Sequence, residues 1–394
     1  MQKSFLLVSL IFLISCYPNM APNAKEARLF FNSSIVEEER LNVAQSELKE
    51  VANRLDDHFK VLQQELGACN SFEQSKAVAK KAASALWVQA KEQLHTSHSF
   101  DDRSLYWQRL KLLSVVRIHA KKRDLSLQQL KLLQEIIEKG SRGLLDLKFR
   151  NNGFKKILLS GFDPFLLDNN IAQSNPSGVT AMSLDGQVIE LNGEKAEIQT
   201  FLVPVRYSDF DNGLIESILE DFYLANNVDL VTTVSMGRQD FDLERFPGLR
   251  RSASAPDNHN AYGNGSLEKP VIPSLNGNQL KGNEFVEFSL PVRSMTKASG
   301  KFRVIDNPQV TTLTKSFRPL HIKELTGEIA VKGSGGGYLS NEISYRSIRL
   351  RNELGSKIPT GHIHTPRIYE FDKETNRAIV EQITEMLKLS LTEI

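Results

Sequence analysis

The chain has 394 residues, 40% hydrophobic and 24% charged, an ordinary globular composition with room for two or three domains. A formal net charge of +2 gives no bulk electrostatic case for nucleic acid or for an acidic partner. Only two cysteines occur, Cys16 and Cys69, too few for a disulfide framework once Cys16 is committed elsewhere.

Residues 1–15 read as an export signal. Lys3 gives a positive start, and the apolar run of residues 5–14 is too short to span a bilayer. Leu13-Ile14-Ser15-Cys16 resembles a bacterial lipobox, which implies lipidation of Cys16 and a lipoprotein of the cell envelope, with the outer membrane slightly favoured. Residues 16–34 follow as a polar tether. Cys69 then has no partner and is expected to be a small buried residue.

Residues 35–150 read as an all-α domain. The stretch 35–66 carries Leu41, Ala44, Leu48, Val51, Leu55, Phe59 and Leu62 three or four apart, the stripe of one long helix. Asn70 with Glu73, and Ser126 with Gln129, offer capping boxes for later helices. A helix over 101–121 carries Leu105, Leu110, Leu112, Leu113 and Val116. Trp87 and Trp107 are expected in the core. His95, His98 and His119 are expected to face solvent, since no carboxylates stand at metal-ligand spacing. The segment could act as a spacer, an oligomerisation element or a binding surface.

At Phe154 the pattern changes to short apolar runs alternating with helical stretches. Strands are expected over 155–161, 196–205, 228–234, 302–305, 328–331 and 361–365. Helices are expected over 209–226, 342–354 and 373–389. This order predicts an α/β fold with a mainly parallel sheet and helices on both faces, and a site at the carboxyl ends of the strands. Residues 259–325 are rich in Gly, Asn, Ser and Pro and read as a partly irregular insertion that could rim the site.

Six segments then occur in a telling order. They are Gly161-Phe162-Asp163-Pro164-Phe165, Asn175-Pro176-Ser177, Val203-Pro204-Val205, Gly237-Arg238 with Glu244-Arg245, Gly336-Gly337-Tyr338-Leu339-Ser340-Asn341, and Gly361-His362-Ile363-His364-Thr365-Pro366. Across residues 154–394 this resembles the pyroglutamyl-peptidase I family of cysteine peptidases. Ser340 stands at the place of the family's nucleophilic cysteine. The resemblance implies a catalytic glutamate at Glu244 and a catalytic histidine at His364. It also implies a peptide N-terminus or related small amide as partner, and no cofactor.

Taken as chemistry, a nucleophile needs a base, and the base needs an orienting group. Ser340, His364 and Glu244 can fill those roles. A serine hydroxyl is far less acidic than a thiol and demands tighter base geometry. Ser340 could instead simply cap a helix starting near Asn341. Phe162, Phe165 and Tyr338 could wall a pocket for a five-membered lactam, or pack in the core. Arg238 and Arg245 could stabilise charge near the site, or form surface ion pairs. Val234 replaces the family's glutamine, and Leu166-Leu167-Asp168 replaces its usual glycines. His362 and His364 would face the same side of a strand, but no third ligand suggests a metal. Two functions compete: a lipid-anchored Ser-His-Glu hydrolase removing N-terminal pyroglutamate, and an inactive relative that binds a peptide or cell-wall fragment.

Overall fold

The computed structural model describes residues 36–394; the signal, Cys16 and the tether lie outside them. Six helices come first: α1 (Val36–Glu47), α2 (Lys49–Asn53), α3 (Asp56–Ala68), α4 (Phe72–Ser97), α5 (Arg103–Lys122) and α6 (Leu127–Gly140). The single long helix expected over 35–66 is therefore three pieces. Lys111 of α5 explains one break, because its ammonium takes the Ala52 carbonyl at 2.8 Å and the Asn53 side chain at 2.7 Å. A tertiary partner replaces helical continuation there.

The capping box at Ser126 and Gln129 forms as expected. The other start lies one residue later than expected, with Ser71 accepting from the Gln74 amide. Helix α5 departs most from its pattern. It is buried on nearly all sides, including Arg103, Arg109, Lys111 and Arg117. Charges so placed need partners; Arg109 and Lys111 find theirs on other elements. His119 is buried as well and meets the Ser75 hydroxyl at 2.9 Å, against the expectation of exposure. His95 and His98 are exposed, and Trp87, Trp107 and Cys69 are buried.

Next come β1 (Lys155–Phe162), α7 (Pro176–Leu184), β2 (Val188–Leu191), β3 (Glu194–Val203), α8 (Tyr207–Asp211), α9 (Leu214–Ala225), β4 (Leu230–Met236) and β5 (Phe241–Glu244). After them lie β6 (Ser274–Leu275), β7 (Asn278–Gln279), α10 (Val292–Met295), β8 (Val304–Asn307), β9 (Val310–Thr312), β10 (Ser316–Phe317) and β11 (Ala330–Lys332). The chain closes with α11 (Leu339–Glu353), β12 (Thr360–Thr365) and α12 (Lys373–Ser390). The main sheet runs β2-β3-β1-β4-β12-β5-β8. Pairings β3-β1, β1-β4, β4-β12 and β5-β8 are parallel; β2-β3 and β12-β5 are antiparallel.

Alternation along the strands feeds two cores, as a sheet covered on both faces requires. Ile157, Leu159, Ile198, Leu230 and Ile363 join the core containing α7 and α12 residues such as Val179, Met182, Ile379 and Ile383. That core is continuous with Leu86, Trp87 and Leu112 of the helical segment, which packs on the sheet as part of one compact unit. Leu158, Val203 and Val231 face the other core with Leu219, Tyr223 and Ile343 of α9 and α11.

The insertion is more ordered than its composition suggested. It holds the β6-β7 hairpin and most of the small sheet β10-β9-β11. It also supplies β8, the edge strand of the main sheet. The strand expected near 328–331 belongs to the small sheet, not the main one.

Candidate active site

From β1 the chain goes to β3 on one side, then crosses to β4 on the other. This reversal makes the carboxyl ends of β1 and β4 a topological switch point, where open α/β sheets bind ligands. A pocket opens there, lined by Phe162 and Phe165 after β1, Val205, Ser235 and Met236 of β4, and Tyr338, Leu339 and Ser340 at the start of α11. Val234 points into the sheet core and is fully buried. The strand therefore offers the pocket Ser235 and Met236 instead.

The aromatic wall is ordered by its own contacts. Phe165 stacks on Tyr338 with ring centroids 6.3 Å apart, and Tyr207 meets Tyr338 edge-on at 5.6 Å. The Tyr338 hydroxyl donates to the Pro256 carbonyl at 2.8 Å. Burial raises the Tyr338 phenol far above its ordinary range, so it stays neutral at any physiological pH.

Ser340 is the second residue of α11; Tyr338 is its N-cap, and its side chain makes no capping bond. Ser340 thus does not cap the helix, against that expectation. Its hydroxyl donates to the Gly335 carbonyl at 3.2 Å. The approach depends on glycine: Gly336 has φ +90°, and a Cβ on Gly337 would fall 2.0 Å from the Ser252 hydroxyl. The first amides of α11 have no partners one turn back, so they can face an anionic oxygen.

His364 lies on β12, opposite Ser235 of β4. Its Nδ1 meets Glu244 Oε1 at 2.5 Å. Glu244, at the end of β5, is fully buried. Its other oxygen accepts from Asn307 Nδ2 at 2.8 Å, and Arg238 donates to Oε1 at 3.3 Å. Burial raises the Glu244 pKa, and the opposing pull of His364 and Arg238 does not cancel it. The neighbouring positive groups thus compensate the carboxylate only in part.

The Gly-rich segment carrying Ser340 is fastened to the strand end carrying Glu244. Ser334 exchanges hydrogen bonds with the Phe246 backbone. Asn341 clamps Gly248, accepting from its amide at 2.9 Å and donating to its carbonyl at 2.7 Å. Asn307 also donates to the Ser334 carbonyl at 3.2 Å. These ties bring Ser340 to the same end of the sheet as the His364–Glu244 pair.

His362 is occupied differently. Thr233 and Ser235 hydroxyls meet its two ring nitrogens at 2.7 and 2.8 Å. Burial drives its pKa far down, so it is a neutral core histidine with no nitrogen free for a metal. No group of three or more His, Cys, Asp or Glu side chains suited to a metal occurs among the described residues.

Of the two arginines, Arg238 reaches the Glu244 carboxylate and Asp242. Arg245 does not line the pocket. It pairs with Asp306 and with Glu287 at 3.2 Å, and lies over the Phe288 ring. Arg245 follows Glu244 directly, so its side chain points to the opposite face, and of its two expected roles the ion pair is the one observed. Sequence reasoning does not single out Asn307, which lies two residues beyond the strand expected over 302–305. Asn341, beside Ser340, has no sequence signal beyond its place in the motif.

Residues 156–280 and 306–369 match the family model described as the PA0049 C-terminal domain, and residues 21–138 match the PA0049 N-terminal domain. The uncharacterized protein PA0049 of Pseudomonas aeruginosa is 28% identical over 351 residues, covering 68% of this chain. The chain spans 63% of that relative's length. Among solved structures, a single-substitution variant of pyrrolidone carboxyl peptidase from the hyperthermophile Pyrococcus furiosus aligns at 21% identity. It covers 61% of this chain and 99% of that one, with a TM-score of 0.41. The x-ray structures described for that peptidase and its cys-free mutant give 21% identity, 60% and 99% coverage and a TM-score of 0.41.

Proposed function

We propose that this protein is a hydrolase of pyroglutamyl amides in which Ser340, His364 and Glu244 act as nucleophile, base and orienting carboxylate. The observation that carries the reading is the buried 2.5 Å contact between His364 Nδ1 and Glu244 Oε1, beside a pocket whose rim bears Ser340. With Nδ1 committed to Glu244, Nε2 is the nitrogen left to take a proton. Ser340 Oγ would attack the amide carbonyl carbon as its proton passes to His364 Nε2. The carbonyl oxygen would become an anion facing the first amides of α11. His364 would then return the proton to the leaving nitrogen as the C–N bond breaks, giving an acyl-serine. Water, deprotonated by His364, would release pyroglutamate and restore Ser340. Phe162, Phe165 and Tyr338 would hold the lactam ring.

One observation favours a second reading, an inactive binding descendant. The Ser340 hydroxyl donates to Gly335 rather than to His364. Catalysis by the first reading needs it to rotate when substrate arrives.

A fluorogenic pyroglutamyl amide separates the two. Hydrolysis by the native protein that disappears in Ser340→Ala establishes the serine mechanism. Silence in the native protein with turnover in Ser340→Cys establishes the binding descendant. Silence in all three, with folding verified by circular dichroism, overturns both.

We also propose that Cys16 carries the lipid and holds the protein at an envelope membrane. Release of the Cys16→Ser protein into the soluble fraction would support this, and unchanged membrane association would overturn it.

A further inference from the structure

The carboxyl end of β4 contributes to two depressions. Ser235 and Met236 line the aromatic pocket. The next residues, Gly237, Arg238 and Gln239, line a second one, together with Arg367 and Tyr369. His364 lies beside this stretch of β4. It pairs with Ser235 across the sheet, and a Cβ on Gly237 would fall 2.5 Å from the His364 Cβ. A substrate with its lactam in the first pocket and its scissile bond at His364 would run on over the second depression.

The second depression is cationic in one specific place. Arg238 is already matched by Asp242 and Glu244. The exposed Arg367 side chain has no hydrogen-bond or ion-pair partner among the described residues, although its amide donates to the Arg238 carbonyl at 2.6 Å, fixing its backbone beside Arg238. Tyr369 is 78% exposed and Gln239 is exposed. A guanidinium held by its backbone, flanked by an amide side chain and a phenol, suits a planar carboxylate, which it can bind through two parallel hydrogen bonds.

We infer that Arg367, with Gln239 and Tyr369, forms a subsite for a carboxylate on the leaving-group side of the scissile bond. This rests on the pyroglutamyl reading of the first pocket and adds a substrate class to it: peptides in which the residue after pyroglutamate carries a carboxylate. That carboxylate is either an acidic side chain or the free C-terminus of a dipeptide.

The test is calorimetric binding to the full-length Ser340→Ala chain in detergent, which prevents turnover. The ligands are pyroglutamyl-alanine amide, pyroglutamyl-aspartyl amide, pyroglutamyl-alanine with a free carboxylate, and pyroglutamyl-lysyl amide. At least one carboxylate ligand should bind on the order of tenfold tighter than the neutral amide, the lysyl amide should bind more weakly, and added Arg367→Ala should erase the difference without weakening the neutral amide. Which carboxylate ligand gains identifies the source. Equal binding of all four ligands overturns the subsite and leaves the pocket reading standing. No binding of any ligand, the neutral amide included, overturns the pocket reading and the subsite with it. Because Arg367 is exposed, its substitution should leave the thermal midpoint unchanged, so loss of selectivity cannot be put down to unfolding.

Discussion

Two buried carboxylates near the carboxyl ends of the sheet strands show how differently the two sides of the molecule use charge. Asp163, just after β1, faces the helical segment and is held by Arg109 at 2.7 Å and by Arg142 at 2.6 Å. Burial alone would raise its pKa, but the two arginines outweigh burial and lower it. Glu244, just as buried, has a histidine, an asparagine amide and a half-exposed arginine, and burial wins. The first carboxylate has all the positive charge it can use. The second is left short of positive charge. A buried charge matched by two full cations fixes the structure; one matched by an imidazole is suited to act.

The largest expected effect breaks the acting side. On the Ser-His-Glu mechanism proposed above, Glu244→Gln should cut hydrolysis of a pyroglutamyl amide by about 10⁴-fold, the scale seen when a triad carboxylate is neutralised. Stability should respond the other way. Because the folded pKa of Glu244 is raised, its protonation favours the folded state, and stability is lost as pH rises through that folded value. Glu244→Gln removes this loss. Urea midpoints of the variant should therefore fall less between pH 4 and 7 than those of the native protein; identical slopes would show that Glu244 is not under-compensated.

The second effect breaks the fixed side. Asp163→Asn leaves Arg109 and Arg142 buried without their shared anion, and should cost about 3–5 kcal/mol by equilibrium denaturation. Its pH dependence has the opposite sign. The folded pKa of Asp163 is lowered, so the stability it supplies is complete above the unfolded carboxylate value near about 4 and is lost as pH falls through the folded value. Acid unfolding of Asp163→Asn should be correspondingly shallower. A cost below about 1 kcal/mol would mean that the arginines find other partners.

These two sides were not equally legible in the sequence. The α/β class could be read because apolar runs are local signals, whereas Glu244, Ser340 and His364 stand out only through the resemblance of their motifs to a known family. The partners of Asp163 could not: Arg109 lies 54 residues away on a helix whose leucines suggested an ordinary amphipathic stripe. The same limit hid the Arg40–Asp168 pair and the Arg206–Glu37 contact, which bridge 128 and 169 residues. For Arg245 the sequence left charge stabilisation and an ion pair both open, and the ion pair with Asp306 and Glu287 is the one that forms. Asn307 escapes sequence reading because the strand expected over 302–305 runs two residues further in the structure and ends on it.

A smaller test sharpens the role of that missed residue. Asn307→Ala removes the donor to Glu244 Oε2 and leaves the shortfall at Glu244 larger. A hydrogen bond to a charged group contributes about 1.5–3 kcal/mol, so turnover should fall roughly 10- to 100-fold. The proton affinity of Glu244 should rise further, moving the acid limb of the pH–rate profile upward. A fall in turnover with an unmoved acid limb would mean that Asn307 acts by holding Ser334 and the Gly-rich segment rather than through Glu244.

The smallest effect lies in the loop between the two sides. Leu166 has φ +60°, a conformation that disfavours residues with a Cβ, and the amides of Asn169 and Asn170 both donate to its carbonyl. Two residues on, Asp168 pairs with Arg40 of α1 at 2.6 Å. The tight turn lets the pocket wall at Phe165 and the helical contact at Asp168 be met by one short loop. Comparing Leu166→Gly with Leu166→Ala isolates the backbone, since both lose the leucine side chain. Relief of the left-handed strain, about 1–2 kcal/mol, exceeds the extra unfolded-state freedom of glycine, about 0.5–1 kcal/mol. The glycine variant should be the more stable by somewhat under about 1 kcal/mol. Equal midpoints would mean that the loop relaxes out of the turn once leucine is gone, and that Arg40, not the backbone, sets its shape.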